Sequence, residues 1–253
     1  IRGQPPTHPD LLDWLARQLI RNQWRLKPIH RLMVTSAAYR QSSAVDSARS
    51  AIDPHNRLVW RFNRRRLEGE AIRDTLLSLS GALDPTLYGR AGRDETTPRR
   101  SLYLEMKRSR LPAFLRTFDS PDYVSGLAKR AVTTTAPQAL VMMNSPSVRE
   151  WAKRFAARLS THEPLLPPAP GGHPTTLAAP TTPDSADVAG MIAAAYSVAV
   201  GRGPSAVELQ DARSFIDSQT AAHAAAGRQD AASAARIDFC QVLLGLNETL
   251  HIE

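Results

Sequence analysis

Apolar residues recur at three- and four-residue steps along much of the chain, which is the spacing of one face of an α-helix. The first clear case runs from Pro9 to Asn22, where charged residues separate the apolar ones. The pattern predicts an amphipathic helix with one buried stripe, and Trp24 is expected to pack beneath it. The stripe consists of Leu11, Leu12, Leu15, Leu19 and Ile20.

The same spacing predicts a second helix from Pro28 to about Arg40, because proline is well tolerated in a first helical turn. Ile29, Leu32 and Met33 would be its buried positions. The serine-rich residues that follow, up to Ile52, lack this spacing and are predicted to form a polar connection.

A third helix is predicted in the central stretch, residues 53–84. Asp53 and Pro54 are typical of a turn or a helix start, and Asn63 is a candidate N-cap for the helix that follows. The helix is expected to be about five turns long and to end at Gly81. Its buried stripe would be Leu67, Ala71, Ile72, Leu76, Leu79 and Leu83.

The chain after Gly81 carries loop, strand and helix signals in turn. Residues 84–100 read as a long basic loop, and the alternation of Leu102 and Leu104 with polar neighbours predicts a short strand. Further predicted elements are a short helix at 112–118, an extended segment at 133–135, a helix from Pro137 to a break at Asn144, and a helix from Ser147 to Leu159.

Residues 161–186 are rich in proline and poor in core-forming residues, which predicts a flexible linker or insertion. Three alanine-rich helices are predicted beyond it, at 187–200, 205–225 and 230–250, and Ser205 with Glu208 has capping-box spacing. The expected fold is mainly α, a helical bundle-like domain with at most a short β element near 101–106. Its predicted parts are a basic, mainly helical core domain (1–160), the linker (161–186) and a C-terminal three-helix segment (187–253) that docks on the core.

Charge is distributed unevenly between the two halves of the chain. Residues 1–160 contain 28 Lys and Arg against 14 Asp and Glu, whereas residues 161–253 contain 4 against 10. A field of this kind attracts polyanions or the acidic half of the same chain.

No run of about eighteen apolar residues occurs, so no transmembrane segment is predicted. The single cysteine, Cys240, excludes an internal disulfide and lies in an apolar segment typical of a small buried residue.

Candidate chemistry is concentrated in the central stretch. Glu70 and Asp74 lie one helical turn apart, a spacing that suits an acid and base pair or a metal site. The alternative is that both are ion-paired, because Arg66 and Arg73 lie four and three residues from Glu70. No Glu-x-x-His pattern accompanies them, and no metal site is predicted. The candidate catalytic residues are Glu70 and Asp74, and the candidate binding residues are Arg66, Arg73, Trp60 and His30.

Five motifs resemble a known family. They are PPTHPDLLDWLA (5–16), LKPIHRLMVTSAAYRQSS (26–43), DPHNRLVWRFNRRRLEGEAIRD (53–74), TTTAPQALVMMNSP (133–146) and AYSVAVGRGPSAVEL (195–209). Together they resemble the planctomycete-specific domain of unknown function 1553, found in large exported proteins. The proline-rich segment at 161–186 and the ending NETLHIE depart from the family's pattern.

The resemblance implies a context rather than an activity. Such domains usually form the C-terminal part of a longer polypeptide and often follow a cytochrome-c-like module whose C-x-x-C-H motif holds haem. This chain lacks that motif, so the resemblance implies no cofactor here and haem c in an N-terminal module. It also implies a periplasmic or cell-surface location and, as partners, the N-terminal modules of the parent protein.

Three functions follow from these patterns. The first is a helical module without assigned activity in an exported, haem-associated protein, which docks a protein partner or binds a ligand. The second is a hydrolase or redox module for an extracellular anionic polysaccharide, in which Glu70 and Asp74 act as acid or base while Arg66 and Arg73 hold the anion. Nucleic-acid binding is disfavoured, because the arginines are interleaved with acids and no nucleic-acid motif occurs.

Overall fold

The computed structural model describes residues 5–107, 109, 111–121, 130–161 and 188–252. Two compact units divide the chain: Ile1–Arg66 with His251–Glu253, and Leu67–Leu250. Helices dominate both units, and the strands of the described residues form one short two-stranded sheet. The predicted mainly α fold is therefore confirmed.

Four short helices and the small sheet make up the first unit. The sheet is antiparallel, with Arg65 opposite Ile252 and Arg66 opposite His251. In chain order the elements are α1 (Pro9–Arg21), α2 (Leu26–Val34), α3 (Ala37–Arg40), α4 (Ser47–Ile52), β1 (Arg65–Arg66) and β2 (His251–Ile252).

The predicted second helix is split in the structure into α2 and α3. The side chains of Thr35 and Ser36 donate to the carbonyls of Arg31 and Met33, at 2.7 Å each, and so close the end of α2. Ser36 then accepts a hydrogen bond from the backbone N–H of Tyr39 and begins α3. The prediction of one continuous helix was wrong, because these hydroxyls compete with backbone N–H groups for the helical carbonyls.

A helix also forms where a polar connection was predicted. Asp46 Oδ1 accepts a hydrogen bond of 3.0 Å from the backbone N–H of Arg49, which caps the first turn of α4. The segment has no apolar periodicity, so its cap was the one available signal.

The second unit holds the hydrophobic core. Its helices are α5 (Gly69–Leu79), α6 (Ala113–Thr117), α7 (Ala136–Asn144), α8 (Pro146–Ser160), α9 (Val188–Val200), α10 (Ala206–Ala225), α11 (Ala231–Leu244) and α12 (Asn247–Leu250). Every buried hydrophobic residue among the described residues belongs to this unit. The most enclosed include Ile72, Leu76, Leu115, Val148, Phe155, Ile192, Leu243 and Leu244.

Helix α5 is shorter than the five turns predicted for it. It begins at Gly69, and Arg65 and Arg66 belong to β1, so Asn63 is not its N-cap. A Cβ atom on Gly69 would lie 2.9 Å from the Cβ of Phe118 and 3.4 Å from its carbonyl oxygen, so the start of α5 packs closely on Phe118. At the other end Arg158 donates to the carbonyls of Ser78 and Leu79, at 2.9 and 2.7 Å, just before Gly81 turns the chain with φ +71°.

No regular strand forms near 101–106. Residues Ser101–Tyr103 make a 3-10 turn, and the β character there is one isolated bridge between Gly92 and Leu104. Leu104 is buried while Leu102 is 73% exposed, because the turn removes the alternation of sides that a strand would impose. The predicted strand was therefore wrong in type, although a small β element is present.

The C-terminal helices follow the prediction closely. The capping box of Ser205 and Glu208 begins α10, as expected from its spacing. The last predicted helix instead ends at Leu244, and the turn at Gly245 separates it from α12.

The two compact units do not coincide with the three predicted parts of the chain. Helix α11 contacts α8 and α10 within the second unit, so that unit holds part of the predicted core domain together with the C-terminal helices. The boundaries at residues 160 and 187 stay a prediction, and the predicted linker lies outside the described residues apart from Thr161. Within the described part of the chain, no helix has the length and apolar character needed to span a bilayer.

Candidate functional site

Arg73 is the central residue of the predicted cluster, and it is fully buried. Its Nη1 donates to the carbonyl of Arg99 at 2.9 Å and to the hydroxyl of Ser101 at 3.2 Å. Its Nη2 donates to the carbonyls of Glu95 at 2.8 Å and Thr97 at 2.5 Å. Burial lowers the pKa of Arg73, and nearby carboxylates oppose that shift. The guanidinium thus holds the loop that precedes the 3-10 turn.

Asp74 reaches the same turn from the next position of α5. Its Oδ1 accepts a hydrogen bond of 2.6 Å from the backbone N–H of Ser101 and lies 3.9 Å from Arg73 Nη1. Its Oδ2 lies 3.6 Å from Nε of Arg100, which is half exposed. Asp74 and Arg73 therefore fasten one segment of chain to α5.

Glu70 has a different set of partners. Arg130 Nη2 donates to Glu70 Oε2 at 2.7 Å, and Nη1 of the same guanidinium lies 3.3 Å from Glu68 Oε2. Arg130 Nε donates to the carbonyl of Asp119, whose carboxylate accepts hydrogen bonds from the N–H and hydroxyl of Thr133. The two candidate carboxylates thus join different parts of the second unit to α5.

Three of the six predicted site residues lie in the first unit. Arg66 is buried in β1, and His30 is exposed on α2. Trp60 is half-buried; its indole Nε1 donates to the carbonyl of Asp53 at 2.9 Å, and the guanidinium of Arg61 lies 5.3 Å from its ring centroid. Glu70, Arg73 and Asp74 belong to the second unit. The roles assigned to all six stay predictions.

The described residues offer little support for a metal or a reactive thiol. No group of three or more His, Cys, Asp or Glu residues is arranged among them to hold a metal ion. Cys240 is buried, and desolvation raises the pKa of its thiol to about 12, so the thiolate is strongly disfavoured at neutral pH.

The largest departure from expectation is the exposure of α1 and α2. Neither helix buries a residue, and Trp24 is 70% exposed instead of packing beneath α1. The predicted burial of Leu32 and Met33 is likewise wrong. We call the exposed large apolar residues of this region the α1–α2 surface: Leu11, Leu12, Trp14, Ile20, Trp24, Leu26, Leu32 and Met33.

Two turns of the first unit hold apolar side chains outward on left-handed backbone. Trp24 has φ +62°, and its N–H donates to the carbonyl of Leu19. Val59 has φ +55°, which is unusual for a β-branched residue, and its carbonyl accepts a hydrogen bond from Gln41. Such backbone costs of order 1–3 kcal/mol and is retained where the surroundings enforce it.

Sequence reasoning missed three residues that organise these regions. Asn56 has φ +52°, and its side chain bonds Arg61 and Asn63; the tolerance of asparagine for left-handed backbone was an available signal. Arg99 and Arg130 had no such signal, because their partners are backbone carbonyls or carboxylates distant in sequence.

Comparison with known proteins identifies a family. A family model described as PSD1, a protein of unknown function (DUF1553), matches residues 1–216. No curated protein and no solved structure matches the chain. The match includes α1 to α9 and ends within α10, so α11 and α12 lie beyond it.

Proposed function

The chain belongs to the DUF1553 family of proteins of unknown function, and we propose that its first unit is a docking module that binds an apolar protein surface through α1 and α2. The observation that carries the proposal is the exposure of the α1–α2 surface on helices that bury nothing. No enzymatic activity is assigned.

Helix stability supports the proposal. Helix α1 has 13 residues and α2 has 9, and isolated helices shorter than about 12–15 residues are marginal in water. Helices of this length gain most of their stability by packing an apolar face. Removing a large apolar side chain from water contributes about 1.5–3 kcal/mol, so a partner that covers several residues of the α1–α2 surface would stabilise both helices.

The chemistry of the surface defines the partner. Its large apolar residues, two of them tryptophans, are of the types that form the buried part of protein interfaces. Exposed cations outnumber exposed carboxylates on the same helices, with Arg17, Arg21, Lys27 and Arg31 against Asp10 and Asp13, so a partner that combines apolar residues with carboxylates would be complementary. We propose that the partner surface belongs to a neighbouring module of the same polypeptide.

The family resemblance supports the wider context of this proposal. On that basis the parent polypeptide would be exported to the periplasm or cell surface, and haem c would be held by a neighbouring cytochrome-c-like module. The only cysteine of this chain, Cys240, is not part of a C-x-x-C-H motif. Docking through α1 and α2 would then bring the two modules together.

The test compares backbone amide exchange in the chain alone and in the longer polypeptide with its preceding modules. We expect slow exchange of α1 and α2 only in the longer polypeptide, and loss of that protection with Leu12→Glu and Met33→Glu. Val207→Glu, on an exposed apolar position of α10, is the matched control and should leave protection unchanged.

Two outcomes would overturn the proposal. One is equal exchange of α1 and α2 in both forms. The other is protection of the isolated chain that rises with its own concentration and is lost with Leu12→Glu, since this would make a second copy of the chain the partner.

A further inference from the structure

A long loop of the second unit is held in one conformation by an internal arginine. Arg99 donates through Nη1 to the carbonyl of Arg90 at 2.6 Å, and through Nη2 to the carbonyls of Thr86, at 2.9 Å, and Tyr88. Its guanidinium also lies over the ring of Tyr103, 4.2 Å from the centroid. We call residues 84–103 the Arg99 loop.

The buried guanidinium of Arg73 fastens the same loop from the core side, through the carbonyls of Glu95, Thr97 and Arg99. The carboxylate of Glu95 in turn accepts the backbone N–H of Phe114 at 3.1 Å. Two arginines therefore bind six backbone carbonyls of one loop. A segment held by this many charge-assisted hydrogen bonds is preorganised.

This framework holds one aromatic side chain in solvent. Tyr88 has φ +63°, its N–H donates to the hydroxyl of Tyr103 at 3.1 Å, and its side chain is 78% exposed. Left-handed backbone at a non-glycine residue is unfavourable and persists only where neighbouring contacts determine it. Here Tyr103 accepts the N–H of Tyr88 and Arg99 donates to its carbonyl, and both partners belong to the loop.

The other exposed side chains of the Arg99 loop include apolar and cationic groups. Leu87 and Leu102 are exposed, as are Arg90 and Arg93. Among the residues that the structure describes, the guanidinium groups of Arg90 and Arg93 make no hydrogen bond or ion pair, and Arg90 takes part in the framework only through its backbone carbonyl. Tyrosine and arginine are enriched at the energetically dominant positions of protein interfaces, and a guanidinium can bind a carboxylate with two parallel hydrogen bonds.

We propose that the Arg99 loop is a preformed recognition site for an acidic protein segment, with Tyr88, Leu87 and Leu102 contacting an apolar residue and Arg90 and Arg93 binding carboxylates. The residues of this site belong to the second unit, whereas those of the α1–α2 surface belong to the first. The leucines favour a peptide over a polysaccharide. The exposed leucines also disfavour a nucleic acid, whose binding is dominated by contacts of Lys and Arg with phosphates.

The experiment selects a random-peptide phage library on the full chain and measures the affinity of the enriched peptides. Selected peptides should combine acidic with apolar residues. Tyr88→Ala and the double variant Arg90→Ala/Arg93→Ala should each weaken their binding about tenfold or more. Arg213→Ala removes an exposed arginine from α10. It is the control for the loss of positive charge away from the loop and should change peptide affinity little.

A conservative variant tests the role of the framework. Arg99→Lys keeps the net charge but replaces a planar fork by an ammonium group that cannot reach all three carbonyls. Peptide affinity should fall about tenfold, because the loop of the free variant would be less ordered and binding would have to order it. The midpoint of thermal unfolding should change little.

The proposal is overturned if no peptide is enriched, or if enriched peptides bind the Arg90→Ala/Arg93→Ala variant as tightly as the parent chain. It is also overturned if heparin or single-stranded DNA binds through Arg90 and Arg93 while the selected peptides do not compete, since the site would then be one for a sulfated glycan or a nucleic acid. Loss of peptide binding in Leu12→Glu would move the site to the first unit.

Discussion

Replacement of Arg73 by methionine is expected to destabilise the second unit strongly. The substitution keeps an unbranched apolar side chain in the core but removes a fully buried guanidinium that donates to three carbonyls and one hydroxyl. At about 1.5–3 kcal/mol for each hydrogen bond to a charged group, the gross loss is about 6–12 kcal/mol. The buried charge also carries a desolvation cost, which the substitution removes.

The net loss should therefore be smaller than the gross one. Some of the carbonyls that lose Arg73 can also accept hydrogen bonds from water when the Arg99 loop loosens. A net destabilisation of about 3–5 kcal/mol is expected, as for other buried charged networks from which one partner is removed. Against a typical total of about 5–15 kcal/mol, this is a large fraction of the stability of a domain.

Two assays report on this prediction. Urea unfolding followed by circular dichroism measures the free energy of unfolding, and limited digestion with trypsin measures loosening of the loop through cleavage after Arg90 and Arg93. Both should change in Arg73→Met and not in Arg213→Met, the exposed control on α10. An unfolding free energy within about 0.5 kcal/mol of the parent chain, with no faster cleavage, would refute the reasoning.

Three further predictions concern other contacts of the second unit. Glu70→Gln should cost about 1 kcal/mol in urea unfolding, because it weakens the pairing with Arg130 at a partly exposed position; a neutral result would mean that this pair contributes nothing. Arg202 and the Ser205 N–H lower the pKa of Glu208 to about 2 from 4.5, so its contribution to stability is present above about pH 4.5 and is lost as the pH falls towards 2. Acid unfolding of Glu208→Gln should accordingly begin from a lower stability at neutral pH and show a weaker pH dependence in that range. Cys240, whose thiol pKa is raised by burial, should resist iodoacetamide in the folded chain and react in urea; rapid labelling without denaturant would contradict its burial.

The candidate site was only partly accessible to sequence reasoning. Helical spacing places Glu70, Arg73 and Asp74 on α5, and the structure agrees on the helix. Their partners could not be read from spacing, because Arg73 binds carbonyls more than twenty residues away and Glu70 binds Arg130, sixty residues away. Arg66 and Arg73 looked like members of one cluster, yet β1 and α5 assign them to different compact units.

Local signals determined most of the helices of this protein. Apolar periodicity, proline at helix starts and the Ser205 capping box act within about one to four residues, which is why α1, α7, α8, α9 and α10 could be predicted closely from the sequence. The same reasoning failed at Ser36 and Gly69, where a side-chain cap or a close approach of Phe118 decided the boundary.

Burial was decided by the tertiary structure alone. Helices α1 and α5 share an amphipathic pattern, but α5 packs in the core while α1 buries no residue. Periodicity states which side of a helix is apolar, whereas burial requires a second surface supplied by residues far away in the chain or in a partner. For the same reason the Arg99 loop reads in the sequence as an ordinary basic connection, although Arg99 within the loop and Arg73 on α5 bind its backbone carbonyls.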